Sequence, residues 1–365
     1  MIYLISHARV SGPVNQALNI LNGLKLNNRI DGSLVTLAPE IEGNTWLNRF
    51  SNEDIKIYSL QQSFWKTLWC VPKLRKYLRN NEVDVIHSSG FRANVVSMFM
   101  PSRYVKVSTQ RSSPADIAEK LPKAIRPFII WLYLQLIKRI PVNVACSKSL
   151  SNVFLHQFRM KMPYVQNGVN TNYFKPLPYS AKRELRTKLD LPLNRRIYLI
   201  LGSLNKRKNN ELIIEVANTI VDKPIEFVFV GSGPEEDSLK KLANSPHICF
   251  RGTTTFPLDY LQAADVLISS SLAEGLPNTV LEAMACGLPC ILSDIEPHRE
   301  LIEDSDFGVL FDLKQKEQLK NEILNSLLWD DSMSSNARKV AVSKFDIRVL
   351  AANYEDLYVR AFNRR

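Results

Sequence analysis

Short β-branched runs alternate with longer segments of helical periodicity from one end of the chain to the other, and this alternation constrains the fold more than any other feature. The strand candidates of the first half are Ile2–Ser6, Leu34–Leu37, Ile55–Leu60, Val83–His87, Val105–Thr109 and Val142–Ser147. Those of the second half are Ile197–Gly202, Ile225–Gly231, Ile248–Arg251, Val266–Ser269, Cys290–Ser293 and Val309–Phe311. Helical patterns lie between them, among them Pro13–Leu26, Lys66–Leu78, Glu211–Val221, Glu235–Ala243 and Asn278–Cys286. Strands that are apolar along their whole length, separated by helices, imply parallel sheets covered on both faces. The pattern occurs twice, and 365 residues exceed what one compact core holds. The expectation is α/β: two doubly wound domains facing across a cleft. Pro176, Pro178 and Pro192 mark the seam around Tyr173–Leu193. We place the domains at 1–172 and 173–345, with a last helix over 346–365 packing back on the first.

Composition removes several classes of function. No charged, apolar and small-residue leader opens the chain, and the longest apolar stretch, Phe128–Ile137, is far short of the ~20 residues that span a bilayer. The five cysteines are scattered, odd in number and set in apolar surroundings, which suits reduced core thiols in the cytoplasm. No metal is expected, because no Cys or His completes a ligand set near Cys286 and Cys290. The net charge of +11 is unevenly placed: residues 1–170 hold 22 Lys and Arg against 9 Asp and Glu, and the remainder 25 against 27. A basic first half points to an anionic partner. Nucleic acid is set aside, since no helix-turn-helix, zinc finger or RNP-like stretch supports it. An anionic membrane surface is retained, because Phe64–Arg79 and Lys120–Arg139 both interleave aromatics with Lys and Arg at helical spacing. The same apolar faces could instead cover their own sheet.

In doubly wound folds ligands bind beyond the carboxyl ends of the strands, so the loops there are the places to look. After Ile197–Leu201 comes Gly202-Ser-Leu-Asn-Lys-Arg-Lys208, a turn with three basic residues before a helix, able to meet a phosphate or simply to be solvated. Val230-Gly-Ser-Gly-Pro-Glu235 is a second turn of this kind. After Val266–Ser269 comes Glu274-Gly-Leu-Pro-Asn-Thr-Val-Leu-Glu282-Ala-Met-Ala-Cys-Gly287. Pro277 suits a first helical turn and Gly287 a left-handed cap. Glu274 then lies in the loop, Glu282 in the helix, and the helix's first N–H groups lie between them. Two carboxylates around an anion-binding helix start suit a ligand with hydroxyls at both ends and phosphates in the middle, as in a nucleotide sugar.

The stretch 274–289 resembles the E-x7-E signature of the retaining glycosyltransferases of family four, which have a GT-B fold of two Rossmann-like domains. Asn167–Pro176, Gly202–Lys208, Val230–Pro234, Phe250–Gly252, Ala264–Ser271 and Glu300 are similar to further segments of that family. The resemblance implies catalytic roles for Glu274, which would hold the donor sugar's hydroxyls, and Lys208, which would neutralise the diphosphate. The donor would be bound by Gly12, Ser203, Arg207, Gly231, Arg251, Gly252, Gly275, Leu276, Asn278, Thr279 and Glu282, the last at the ribose. Ser203 stands where the family commonly has Arg, so Lys206 or Arg207 would have to supply that charge. His87, Ser89 and Arg111 are candidate acceptor or sugar contacts, with a packing role the bland alternative for His87.

The implied activity is a metal-independent, hexosyltransferase-type transfer from a nucleoside-diphosphate sugar, with retained configuration and no cofactor. The leaving diphosphate would help remove the acceptor proton. The acceptor would be a glycan or lipid-linked glycan in surface polysaccharide synthesis, either lipopolysaccharide, capsule or exopolysaccharide. The expected place is the cytoplasm, or the cytoplasmic face of the inner membrane. The rival is a non-catalytic nucleotide-sugar-binding subunit of a glycan assembly.

Overall fold

The computed structural model describes residues 1–41, 43–118, 121–302 and 306–364. Lys120, the first residue of one of the two aromatic and basic segments, lies outside them. The chain forms two compact units, Met1–Gly168 with Ile347–Arg365, and Val169–Asp346.

In the first unit β1 (Ile2–Ile5), β2 (Ser33–Thr36), β3 (Lys56–Ser59), β4 (Val85–Ser89), β5 (Val105–Gln110) and β6 (Val142–Ala145) form one parallel sheet in the order β3-β2-β1-β4-β5-β6. In the second, β7 (Arg196–Leu201), β8 (Ile225–Val230), β9 (Ile248–Phe250), β10 (Val266–Ser269), β11 (Cys290–Ser293) and β12 (Gly308–Phe311) repeat the plan in the order β12-β11-β10-β7-β8-β9. Period-two alternation sends Tyr3 and Ile5 into one core and Ile2 and Leu4 into the opposite one. Leu199 and Tyr198 divide in the same way in the second unit. Burial on both faces is why these strands read as continuous apolar runs.

The chain leaves the first unit after Gly168, four residues before the expected boundary at 172. Gln16 and Asn19 side-chain amides both donate to the Gly168 carbonyl, at 2.8 and 2.7 Å, and Gln16 accepts the Gly168 N–H. Val169 N–H already bonds Phe345 O of the second unit.

The last helix, Ile347–Asn363, lies along the helix Gly12–Asn27 in the first unit. They approach so closely at Gly23 that a Cβ there would sit 2.2 Å from the Ile347 carbonyl oxygen. In the second unit Asp265 fastens the helix Tyr179–Lys188 to the sheet, accepting from Lys182, Arg186 and the Ile197 N–H at 2.6–2.8 Å.

The segment 64–79, read as one helix, is broken. Phe64–Trp69 is a 3-10 helix with Trp65 92% and Trp69 67% exposed, and an α-helix follows over Cys70–Asn80. Only Cys70, Leu74 and Leu78 of this stretch are buried, so a single turn-spaced stripe covers the sheet and the aromatics before it do not. All five cysteines are thiols, four of them buried. Among the described residues no helix is long and apolar enough to cross a membrane, and no three His, Cys, Asp or Glu side chains gather as metal ligands would.

Candidate active site

The second sheet reverses its direction of winding between β7 and β10, and the loops that follow these two strands meet there. The β7 loop brings Arg207 and Lys208 in the 3-10 turn Lys206–Lys208, whose start is capped by the Asn205 side chain accepting from the Lys208 N–H. The β10 loop brings Glu274. Lys208 Nζ donates to Glu274 Oε1 at 2.7 Å, Arg207 NH1 to Oε2 at 3.1 Å, and Ser271 Oγ to Oε1 at 2.9 Å. Arg207 also donates to the Ala273 carbonyl and the Leu272 N–H to the Arg207 carbonyl, which ties the two loops backbone to side chain. The Glu274 side chain is 9% exposed. Burial opposes its ionisation, but Lys208, Arg207 and the bonds from Lys208 and Ser271 outweigh that and hold its pKa below the usual carboxylate value.

Three glycines make the turns beside this pair. Gly202 N–H bonds Val230 O, Gly231 N–H bonds Gly252 O, and a Cβ on Gly231 would lie 1.9 Å from the Gly202 carbonyl oxygen. Gly231 also has φ +141°, so two independent constraints demand glycine there. Gly202, Ser203, Lys208, Ser269, Ser270 and Thr279 line one small pocket. The helix Asn278–Ala285 starts just beyond Pro277, with no acidic residue in its first turn, and carries Glu282 on its second. Gly275 and Leu276 are the two residues between Glu274 and Pro277, and Leu276 is buried in the core.

Several expected site residues make contacts within the fold that the sequence does not show. The Arg251 guanidinium bonds the Asp190 carbonyl at 2.5 Å and lies 3.6 Å from its carboxylate, so it is committed to the segment before β7. Lys206 is exposed and lines a separate pocket with Asn209 and Glu211, whereas Arg207 reaches Glu274. Of the two cations that could replace the charge missing at Ser203, Arg207 is the one at the carboxylate. Arg207→Ala is therefore expected to lower kcat/KM about tenfold, less than loss of a buried donor because it is half exposed, and Lys206→Ala to change it little. Equal losses from the two variants in steady-state kinetics would contradict this.

In the first unit Gly12 opens the helix that follows β1, and Ser89 ends β4, buried. His87 is fully buried, with Nδ1 2.6 Å from Tyr358 OH and Nε2 2.7 Å from Thr109 Oγ1. Both ring nitrogens are used, so His87 fastens the last helix to the sheet rather than facing an acceptor. Arg111 donates to Asn167 Oδ1 and Tyr3 OH and belongs to the same buried group. A cavity of about 1040 Å³ in this unit, lined by Val105, Val142, Tyr164 and Arg360, contains none of the candidate site residues.

The sequence gives Ser271, Ser293 and His298 no role at the site, although Ser271 closes a matched segment and Ser293 a strand. Ser293 Oγ donates to the Ser271 carbonyl at 2.7 Å, and His298 Nδ1 lies 2.8 Å from the Ser293 carbonyl oxygen and 3.1 Å from its Oγ. Burial lowers the pKa of His298 to about 4 and puts that of His87 well below the ordinary value; Arg111 adds to the latter. Both rings are neutral when folded, so as pH falls below about 6.5 the unfolded chain takes up protons first and stability drops, until the folded pKa is passed. Unfolding in urea at pH 7 and pH 5 should differ by about 2 kcal/mol from His298 alone, with His87 adding in the same direction. Equal stability at the two pH values would contradict their neutral, buried state.

Two parallel six-stranded doubly wound sheets, the second with a cation-held carboxylate at its switch point, define a two-domain Rossmann-like protein of the GT-B class. The profile of Glycosyltransferase Family 4 matches residues 34–173 and that of Glycosyl transferases group 1 matches residues 181–341. Together they take in most of the chain, which belongs to this family of glycosyltransferases. It is 25% identical over 316 residues to the UDP-Gal:alpha-D-GlcNAc-diphosphoundecaprenol alpha-1,3-galactosyltransferase of Escherichia coli, covering 81% of this chain and 80% of that one. It is 28% identical over 305 residues to the N,N'-diacetylbacillosaminyl-diphospho-undecaprenol alpha-1,3-N-acetylgalactosaminyltransferase of Campylobacter jejuni, covering 79% and 80%. Among solved structures, Anabaena HepE in complex with UDP-glucose superposes with a TM-score of 0.81 at 18% identity, covering 98% of this chain and 99% of that one.

Proposed function

We propose that this chain moves a hexosyl group, with retained configuration and without a metal, from a nucleoside-diphosphate sugar to a lipid-linked glycan acceptor in surface polysaccharide synthesis. The observation that carries the reading is Glu274 held by Lys208 and Arg207 where the sheet reverses. The carboxylate is kept ionised and accepts from the donor sugar's hydroxyls. As the bond from the anomeric carbon to the diphosphate breaks, negative charge grows on the leaving oxygens, and the cations already held in place there stabilise it. The diphosphate takes the acceptor's hydroxyl proton. Glu282 takes the ribose hydroxyls, one helical turn beyond the N–H groups that meet the phosphates. The E. coli and C. jejuni relatives are named for acceptors carried on diphosphoundecaprenol, which supports a lipid-linked acceptor here.

Thermal unfolding in the presence of UDP-, GDP- and ADP-sugars tests the donor. At least one should raise Tm by a few degrees at saturating concentration, with EDTA present. A panel with no response would sink the reading.

A lipid-linked acceptor places the enzyme at a membrane, and the first unit has a fitting surface. Arg92 clamps the 3-10 helix by donating to Gln62 O, Ser63 O and Thr67 Oγ1, while Phe91 stacks on Tyr133 of the helix Arg126–Lys138. Both segments thus meet the start of the helix Phe91–Met98, and they expose Trp65, Trp69, Phe128 and Trp131 together with Lys66, Lys73, Lys76 and Lys123. Aromatic anchors beside cations suit an anionic bilayer surface. The wild-type chain is expected to float with vesicles containing phosphatidylglycerol, and Trp65→Ser/Trp69→Ser to lose most of that binding. Equal flotation by both proteins would reject this surface.

A further inference from the structure

The neutral, buried His298 stands outside the reaction just described, yet it is tied to the carboxylate at its centre. It sits in the first turn of the helix Glu296–Ile302, which follows β11, the strand beside β10. From it a chain of contacts runs to Glu274. His298 Nδ1 meets Ser293 O and Oγ, Ser293 Oγ donates to Ser271 O, and Ser271 Oγ donates to Glu274 Oε1.

The direction of each bond is fixed by what the groups can do. A carbonyl oxygen only accepts, and the single hydroxyl hydrogen of Ser293 is given to Ser271 O, so toward the ring both Ser293 oxygens are acceptors. Nδ1 must carry the proton. In a neutral imidazole Nε2 is then a bare acceptor, and His298 Nε2 is buried with no hydrogen-bond partner among the described residues. Leaving a buried nitrogen unsatisfied costs stability, so the ring is held at a position where an apolar side chain would be more comfortable. What the imidazole supplies is its Nδ1–H.

We propose that His298 is a positioning residue for Glu274: its Nδ1–H fixes the Ser293 hydroxyl, which orients the Ser271 turn and so sets the carboxylate against Lys208 and the donor sugar. The inference rests on the reading of Glu274 as the sugar-binding group. Misplacing that group by a fraction of an ångström affects the reacting geometry more than it affects nucleotide binding, which other loops provide.

Three substitutions at position 298, with Ser293→Ala, test it. His298→Leu fills similar space, removes the orphaned Nε2 and removes the donor. It should lower kcat on the order of ten- to a hundredfold, leave Tm unchanged or raised, and leave unchanged the affinity for whichever of UDP, GDP and ADP the wild type binds. His298→Asn places an N–H near Nδ1 and should restore most of the turnover; His298→Gln places its amide near Nε2 and should not. Ser293→Ala should resemble His298→Leu, and the double variant should be no worse than either. Unchanged kcat in His298→Leu overturns the proposal, as does a joint fall of kcat, nucleotide affinity and Tm, which marks a merely structural histidine. Equal behaviour of the Asn and Gln variants overturns it too, and this comparison stands if the Leu variant fails to fold. A wild-type chain inactive with every donor, or Glu274→Gln as active as wild type, would reject the underlying reading instead.

Discussion

Glu274→Gln is expected to lower kcat/KM by about two to three orders of magnitude, the scale lost when a preorganised polar group is removed from a reacting centre. Gln keeps the size of the side chain and one acceptor oxygen but loses the charge that holds Lys208 at 2.7 Å and Arg207 at 3.1 Å. Two cations in one turn then repel each other without a counter-charge between them, and the 3-10 turn that presents them loosens. Stability falls by about 1–2 kcal/mol, less than for a sealed ion pair because Arg207 is half exposed. The sign of the pH effect follows from the lowered carboxylate pKa. The ion pair stabilises the fold above the ordinary Glu range, and this contribution is lost as pH falls through the folded pKa. The variant lacks that contribution at every pH, so its gap in stability from wild type narrows in acid. Steady-state kinetics with the donor that stabilises the wild type, and urea unfolding at pH 7 and pH 4, check both parts. Lys208→Met should match the loss in kcat/KM, since either change breaks the same pair.

Ending the chain at Asp346 is expected to unfold the first unit and spare the second. The helix so removed buries Ile347, Leu350, Ala351, Tyr354 and Tyr358 against the helix Gly12–Asn27 and the sheet. Restoring that apolar area to water costs on the order of 10 kcal/mol, comparable with the whole stability of a domain. Polar losses add to it: Tyr358 OH leaves His87 Nδ1 and Tyr354 OH leaves Thr109 Oγ1, both deep in the core. Calorimetry of the shortened chain should show one transition, with proteolysis leaving a fragment that begins near Val169. A first unit that resists protease would contradict the expectation. Tyr358→Phe offers a graded version, expected to cost about 1–3 kcal/mol by orphaning the buried His87 nitrogen.

The strands and both sheets were legible because the central strands, such as β1, β7 and β8, are apolar runs buried on both faces and bounded by turn residues. The loops carrying Lys208 and Glu274 could likewise be placed at strand ends. Their contact could not: it depends on β7 lying beside β10, a pairing between segments some seventy residues apart that no local pattern encodes. The sequence therefore assigns Lys208 to phosphate and Glu274 to sugar as separate tasks, whereas the fold makes them one ion pair. Ser271, Ser293 and His298 were silent for the same reason, being ordinary polar residues until β10 and β11 align them. His87 resembles a site histidine because it ends the apolar run Val83–His87 in the sequence, but it lies inside β4 and its partner Tyr358 arrives from 271 residues away. Trp65 and Trp69 fit a helical stripe by spacing, and the break between 3-10 and α-helix at Cys70 is what leaves them outside the core.

The decisive measurement is transfer of radiolabelled sugar from nucleotide donors into the organic-extractable fraction of bacterial membranes. With EDTA present, label should enter lipid from at least one donor, matched by an equal release of nucleoside diphosphate, and both should be lost in Glu274→Gln. Donor-dependent release that Glu274→Gln retains in full, or a donor that binds but yields no transfer under any condition, would contradict it.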